Sequence, residues 1–189
     1  MVKINQIMKR LTFSFLSVIL LSLAVISASA QETRQVSGFD AVASSGSFNV
    51  YIKMGSTESV KVDADASIIS EIETVVDGHT LKIRFKDHEG RHQHNYKKAD
   101  VYVTAKSLNS LVNSGSGSMK VDGTISTDDF KVVLSGSGDM STSVKSDALH
   151  AIISGSGSIK LSGSAGDANF RISGSGQIDG KGLKTVNTE

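Results

Sequence analysis

The chain has 189 residues, 20 of them basic and 19 acidic, for a formal net charge of +1, and it contains no cysteine and no proline. Without cysteine there is neither a disulfide framework nor a thiolate metal site, and the near-balanced charge argues against a general nucleic-acid binder. Proline removes a ladder hydrogen-bond donor, so its absence suits a chain made mostly of paired strand.

The N-terminus reads as a secretory signal peptide spanning residues 1–30. Lys3, Lys9 and Arg10 give a basic start, Leu11 to Val25 is almost wholly apolar, and Ala28-Ser29-Ala30 offers the small residues that a signal peptidase accepts. Cleavage is expected before Gln31. The apolar run of 15 residues, interrupted by Ser14, Ser17 and Ser22, is shorter than the roughly 20 that cross a bilayer, so the mature chain is not expected to span a membrane. It holds 159 residues (189 less 30), enough for one domain, and its net charge falls to −2 (+1 less the three positive charges of the leader).

Residues 31–107 carry clear strand alternation. Phe48, Val50 and Ile52 face one way and Asn49, Tyr51 and Lys53 the other; Val60, Val62 and Ala64 repeat the pattern. Ile68, Ile72 and Val75 or Val76 have the spacing of a short helical turn, and Asp77-Gly78 signals a turn before the strand Leu81-Ile83-Phe85. A polar loop from Lys86 to Lys98 leads to Val101 and Val103.

From residue 108 the texture changes, with 13 of the 18 glycines lying beyond this point. Ser-Gly-Ser-Gly occurs four times: Ser114, Gly115 and Gly117; Ser135, Gly136 and Gly138; Ser154, Gly155 and Gly157; Ser173, Gly174 and Gly176. The first serines are 21, 19 and 19 residues apart. Five positions after each stands Met119, Met140, Ile159 or Ile178, and one position before stands Asn113, Leu134, Ile153 or Ile172. Flexible linkers lack such fixed apolar offsets. A glycine bend flanked by short strands at a period of about twenty residues predicts an all-β fold, a right-handed parallel β-helix or β-solenoid. In that reading residues 31–107 supply irregular N-terminal coils or a cap, 108–182 the Ser-Gly-Ser-Gly coils, and 183–189 a tail. The final coil is expected to lie under the polar tail 185–188, to self-associate through its open edge, or to belong to a shortened sequence.

Several segments together resemble a known family. They are Arg34-Gln35-Val36, Gly38-Phe39-Asp40-Ala41-Val42, Ser47-Phe48-Asn49-Val50-Tyr51-Ile52, the Leu81-Lys82-Ile83 strand, and Leu108-Asn109-Ser110-Leu111 running into the four bends. The chain is similar along essentially its whole mature length to the putative auto-transporter adhesin, head GIN domain family. That resemblance implies export in Bacteroidetes-type Gram-negative bacteria, to the periplasm, the outer-membrane surface or the exterior. It also implies a right-handed β-helix-like stack, and it brings no catalytic residues with it.

Catalytic and metal chemistry find little purchase. His88, His92 and His94 could meet one zinc if their loop folded back, but the surrounding residues are polar throughout, as at a solvated hairpin tip. No bend fits a phosphate-binding loop, and Asp139 is the one acidic residue among Ser118, Asp139, Ser158 and Gln177, too few for a calcium-binding lattice. The aspartates are scattered and no Gly-x-Ser-x-Gly elbow occurs. Most phenylalanines read as core, whereas Tyr51 and Tyr102 stand on the polar faces of their strands as candidate surface contacts. The expected function is a non-catalytic binding or adhesion module for polysaccharide or another cell-surface component, with no cofactor and no nucleic-acid partner. A carbohydrate-active β-helix enzyme and a purely structural envelope protein are the rival readings.

Overall fold

A computed structural model describes residues 29–86 and 96–189. In chain order the strands are β1 (Ser29–Arg34), β2 (Ala41–Ser45), β3 (Asn49–Met54), β4 (Ser59–Asp65), β5 (Ile72–Asp77), β6 (Thr80–Phe85), β7 (Ala99–Ala105), β8 (Ser110–Gly115) and β9 (Ser118–Ser126). They continue with β10 (Asp129–Gly136), β11 (Asp139–Gly155), β12 (Ser158–Gly174) and β13 (Gln177–Thr188). All thirteen join one sheet in the order β1-β4-β7-β3-β9-β11-β10-β8-β2-β6-β5, with β12 on β11 and β13 on β12.

The long strand β11 explains how one sheet encloses a core. Residues 139–145 pair with β9 and residues 148–155 pair with β10, so β11 passes from one wall to the other. The result is a nearly closed, barrel-like mixed sheet. Its interior is filled by the inward half of each alternating strand, including Ile52, Leu81, Ile83, Phe130, Leu134, Leu149 and Ile153, together with Phe48 just before β3, each 1% exposed or less.

This corrects the expectation of a right-handed parallel β-helix with an irregular cap. Three pairs are antiparallel, β1 with β4, β4 with β7, and β5 with β6. The reversal between β5 and β6 is made by Gly78 and His79, whose φ angles of 54° and 63° match the two-residue turn that suits the twist of paired strands. The helix-like spacing before it resolves into a single 3-10 turn at Ile69–Glu71, and Ile72 already belongs to β5. Strands from the first part of the chain line both walls, β3 beside β9 and β2 beside β8. A period of about twenty residues fixes the register of successive copies, but it does not fix how the remaining strands close around them.

That local register holds. Met119, Met140, Ile159 and Ile178 are successive partners across β9, β11, β12 and β13, and Val50 on β3 extends the file. Asn113, Leu134, Ile153 and Ile172 are likewise aligned, as are Ser114, Ser135, Ser154 and Ser173. The longer first interval has a local cause. Between Lys120 and Thr124, β9 advances four residues while β11 advances two, from Ser141 to Ser143, so two extra residues bulge out there. At the C-terminal end the tail belongs to β13, where Thr185 and Asn187 pair with Ala165 and Asp167 of β12. Ile172 closes its file 46% exposed.

Candidate functional site

The outward half of the β4-β7-β3-β9 wall carries the most distinctive exposed chemistry among the described residues. Val50 and Ile52 of β3 and Val101 and Val103 of β7 point into the core, so strict alternation turns Tyr51 and Tyr102 outward. The two tyrosines are direct partners across parallel strands. Their rings stack with centroids 5.2 Å apart and planes 18° from parallel. They remain 39% and 41% exposed. A stacked pair fixes both side chains before any ligand arrives, which lowers the entropy cost of using them as anchors.

Register places a lysine on each side of the pair, Lys61 of β4 beside Tyr102 and Lys120 of β9 beside Tyr51. Two residues away on the same face runs a second row, Asp63, Asp100, Asn49 and Ser118. It is joined by hydrogen bonds. Gln31 Nε2 donates to Asp63 Oδ2 at 2.9 Å, Asn49 Nδ2 donates to Asp100 Oδ1 at 3.0 Å, and Ser118 Oγ donates to Asn49 Oδ1 at 3.0 Å. Lys98 Nζ pairs with Asp63 Oδ2 at 2.8 Å. The other oxygen, Asp63 Oδ1, is buried without a hydrogen-bond partner.

This row sets the electrostatics of the tyrosines. Partial burial, then the Asp100 and Asp63 carboxylates, push the Tyr102 phenol above its ordinary value, so it is a neutral hydroxyl at physiological pH. Hydrogen bonding to Lys98 and then to Gln31 holds the Asp63 carboxyl below its ordinary 3.8. Hydrogen bonding to Asp63 raises the Lys98 ammonium above its ordinary 10.5.

Linkage then gives a window. Asp63 stabilises the fold above pH 3.8, and its contribution fades as pH falls through the depressed value. The raised Lys98 stabilises below pH 10.5 and fades as pH rises through its folded value. Thermal melts should therefore place Asp63→Asn below the wild-type chain at pH 7, with the gap closing on acidification below pH 4. Curves that stay parallel down to pH 2 would show that the pair is energetically idle.

The glycines of the four bends serve packing. A Cβ at Gly115, Gly136, Gly155 or Gly174 would lie 2.0, 2.4, 2.2 or 2.4 Å from the carbonyl oxygen of Gly46, Gly115, Gly136 or Gly155 respectively, the glycine at the neighbouring bend. The flanking Ser114, Ser135, Ser154 and Ser173 are exposed at the wall's edge. His88, His92 and His94 fall outside the described residues. Among the described residues no group of three or more His, Cys, Asp or Glu is placed to hold a metal ion. A groove of about 730 Å³ lies beside the end of β13, where Asn187 Nδ2 donates to Asp167 Oδ1 at 2.7 Å.

Sequence reasoning found the tyrosines but not their neighbours. Alternation alone marks Lys61, Asp63, Asp100 and Lys120 as outward residues. Lys61 and Asp63 arrive beside Tyr102 because β4 pairs with β7, between residues about 40 apart in sequence, and Lys120 arrives beside Tyr51 because β9 pairs with β3, about 70 apart.

The family model for the putative auto-transporter adhesin, head GIN domain, matches residues 38–189. The chain belongs to that family. Among solved structures it is similar to a putative lipid binding protein from Parabacteroides distasonis ATCC 8503, at 19% identity and TM-score 0.70, covering 86% of this chain and 78% of that one. A putative adhesin from Parabacteroides merdae ATCC 43184 is similar at 19% identity and TM-score 0.67, covering 86% and 77%. Another from Bacteroides fragilis NCTC 9343 gives 15% identity and TM-score 0.55, covering 85% and 95%. At these identities the likeness establishes the shared fold alone. Comparison with curated proteins finds no match.

Proposed function

We propose that the chain is an exported, non-catalytic adhesion module that contacts polysaccharide or another cell-surface component through the outer face of β4, β7, β3 and β9. The observation that carries this reading is the stacked, exposed Tyr51–Tyr102 pair, set in the outer wall beside a row of hydrogen-bond acceptors. Family membership and neighbours described as adhesins support it, as does the apolar leader expected from the sequence. The packed interior points the same way, since Phe48, Phe130 and Leu134 fill the space between the walls and leave contact to the outside. A shallow face of this kind gains strength from many copies acting together rather than from a deep pocket.

The test is a glycan and cell-surface binding array with the chain from Gln31 onward, run beside Tyr51→Ala/Tyr102→Ala. The double variant should bind about 30-fold more weakly, the loss of about 2 kcal/mol that a buried aromatic anchor commands. Its melting temperature should fall only modestly, because an aromatic pair contributes about 0.5–1.5 kcal/mol beyond its burial. Wild-type signal at background across the array would remove the adhesion reading.

A further inference from the structure

We propose that the row Lys61–Tyr102–Tyr51–Lys120 is a subsite for an anionic saccharide, one bearing carboxylate or sulfate groups. This inference rests on the adhesion reading and specifies its ligand. The four residues occupy adjacent strands on one face. With strands about 4.8 Å apart, the two lysines are separated by about 14 Å, with the aromatic pair between them. Along the same row Lys120 faces Ser141 and Ser141 faces Lys160, so a third ammonium follows about 10 Å further on.

What decides the sign of the ligand is which charges are already committed. Asp63 is bound to Lys98 and Gln31, and Asp100 accepts from Asn49. Lys61 and Lys120 are exposed, and among the described residues neither forms an ion pair or a side-chain hydrogen bond. Asp100 keeps its negative charge, because Asn49 is neutral, so the charges beside the tyrosines without a direct side-chain contact are the two lysines. An exposed ammonium with no direct side-chain contact is available to an incoming anion at little cost, since no hydrogen bond or ion pair has to be broken first.

The rest of the face selects a sugar among anions. The aromatic rings favour the C–H surface of a pyranose, and the acceptor oxygens of Asp100 and Asn49 take hydroxyl donors. A DNA backbone has no run of hydroxyl donors to offer these acceptors, and an RNA backbone, which carries 2′-hydroxyls, brings a phosphate with every nucleotide. The phosphates of either would also meet Asp63, Asp100 and Asp139, which stand two residues from the lysines on the same face. The carboxylate row thus makes the site polar across its width, with anionic groups held to the lysine side.

The experiment is calorimetric titration of the chain from Gln31 with galacturonate oligosaccharides and with the same oligosaccharides methyl-esterified, alongside sialylated and sulfated oligosaccharides and their neutral counterparts. At least one anionic member should bind and its neutral counterpart should bind at least tenfold more weakly. Lys61→Gln/Lys120→Gln should weaken binding about tenfold or more, since a hydrogen bond to a charged group contributes about 1.5–3 kcal/mol. Binding should also weaken as salt rises, because exposed charges are screened over about 10 Å at 0.1 M. Lys145→Gln, on a different stretch of the wall, should leave binding unchanged.

Equal binding of charged and neutral members, unchanged affinity in the double lysine variant, or tighter binding of a single-stranded oligonucleotide would each overturn the inference. The adhesion reading fails separately. If Tyr51→Ala/Tyr102→Ala leaves affinity intact, the face itself is wrong, whereas loss there with no effect of the lysines refutes only the anionic ligand. Binding by neutral glycans with none of the anionic ones also refutes it.

Discussion

Replacing Gly155 by alanine should destabilise the chain by about 4 kcal/mol or more, lowering the melting temperature by roughly 10 °C or preventing folding. Two independent terms act at this position. Its φ of 138° lies where side chains are strained, at a cost of about 1–3 kcal/mol. The new Cβ would also lie 2.2 Å from the carbonyl oxygen of Gly136. That oxygen cannot easily retreat, because it accepts from Ser156 N at 3.0 Å and Gly157 N at 3.2 Å. Relieving the clash therefore breaks the bond network that holds β11 to β10 at the bend.

Gly180→Ala meets nothing within 4 Å and should stay within about 0.5 kcal/mol of wild type. Gly136→Ala should resemble Gly155→Ala, since its Cβ would lie 2.4 Å from Gly115 O. Chemical denaturation of the three variants decides the matter. A Gly155→Ala chain within about 0.5 kcal/mol of wild type would show that the bends are not stacked glycine on glycine.

The same geometry shows what could be read from the residues and what could not. Each strand's glycine excludes a side chain on the next, so the bends had to recur as glycine, and the apolar offsets had to follow them. Met119, Met140 and Ile159 were accordingly legible as one buried file. Asn113 looked like an exception in an apolar column. It is fully buried, and its Nδ2 donates to Gly117 O at 2.8 Å, so the side chain satisfies a bend carbonyl that lies within the core. Closure of the wall was not legible. The pairing of β1 with β4 and of β4 with β7 joins segments of ordinary alternation, and nothing in their composition names the partner or the direction. The parallel order of residues 108–182 does not hold throughout residues 31–107, expected as irregular coils or a cap, because the two-residue hairpin at Gly78 and His79 sets β5 and β6 antiparallel. For the binding face, period-2 alternation identified Tyr51 and Tyr102 as outward. Lys61 and Asp63 became their neighbours only through the β4–β7 pairing, and Lys120 through the β3–β9 pairing.

Phe48→Ala should cost about 3–5 kcal/mol, the range for removing a buried phenylalanine, with a melting temperature lower by roughly 10 °C. Phe48 is fully buried and stands between the end of β2 and the start of β3, one strand on each wall. Its ring lies 4.8 Å from that of Phe85 on β6, and Phe85 in turn lies 5.6 Å from Tyr96. Space for it is made locally. A Cβ on Gly46 would approach Phe48 Cε2 to 2.9 Å. The ring therefore bridges the two walls where β3 begins, three residues before Tyr51. Alanine there leaves a void that neither wall can collapse to fill without shifting β3. A double-mutant cycle with Phe85→Ala should return a coupling of about 0.5–1.5 kcal/mol. Because β3 carries Tyr51, ligand binding should fail at lower temperature in Phe48→Ala than in the wild-type chain while remaining near normal in the cold. Phe170→Ala, where the ring is only partly buried, should cost less. A Phe48→Ala loss below about 1 kcal/mol would mean that the walls do not meet over this ring, and the barrel-like closure of the sheet would fall with it.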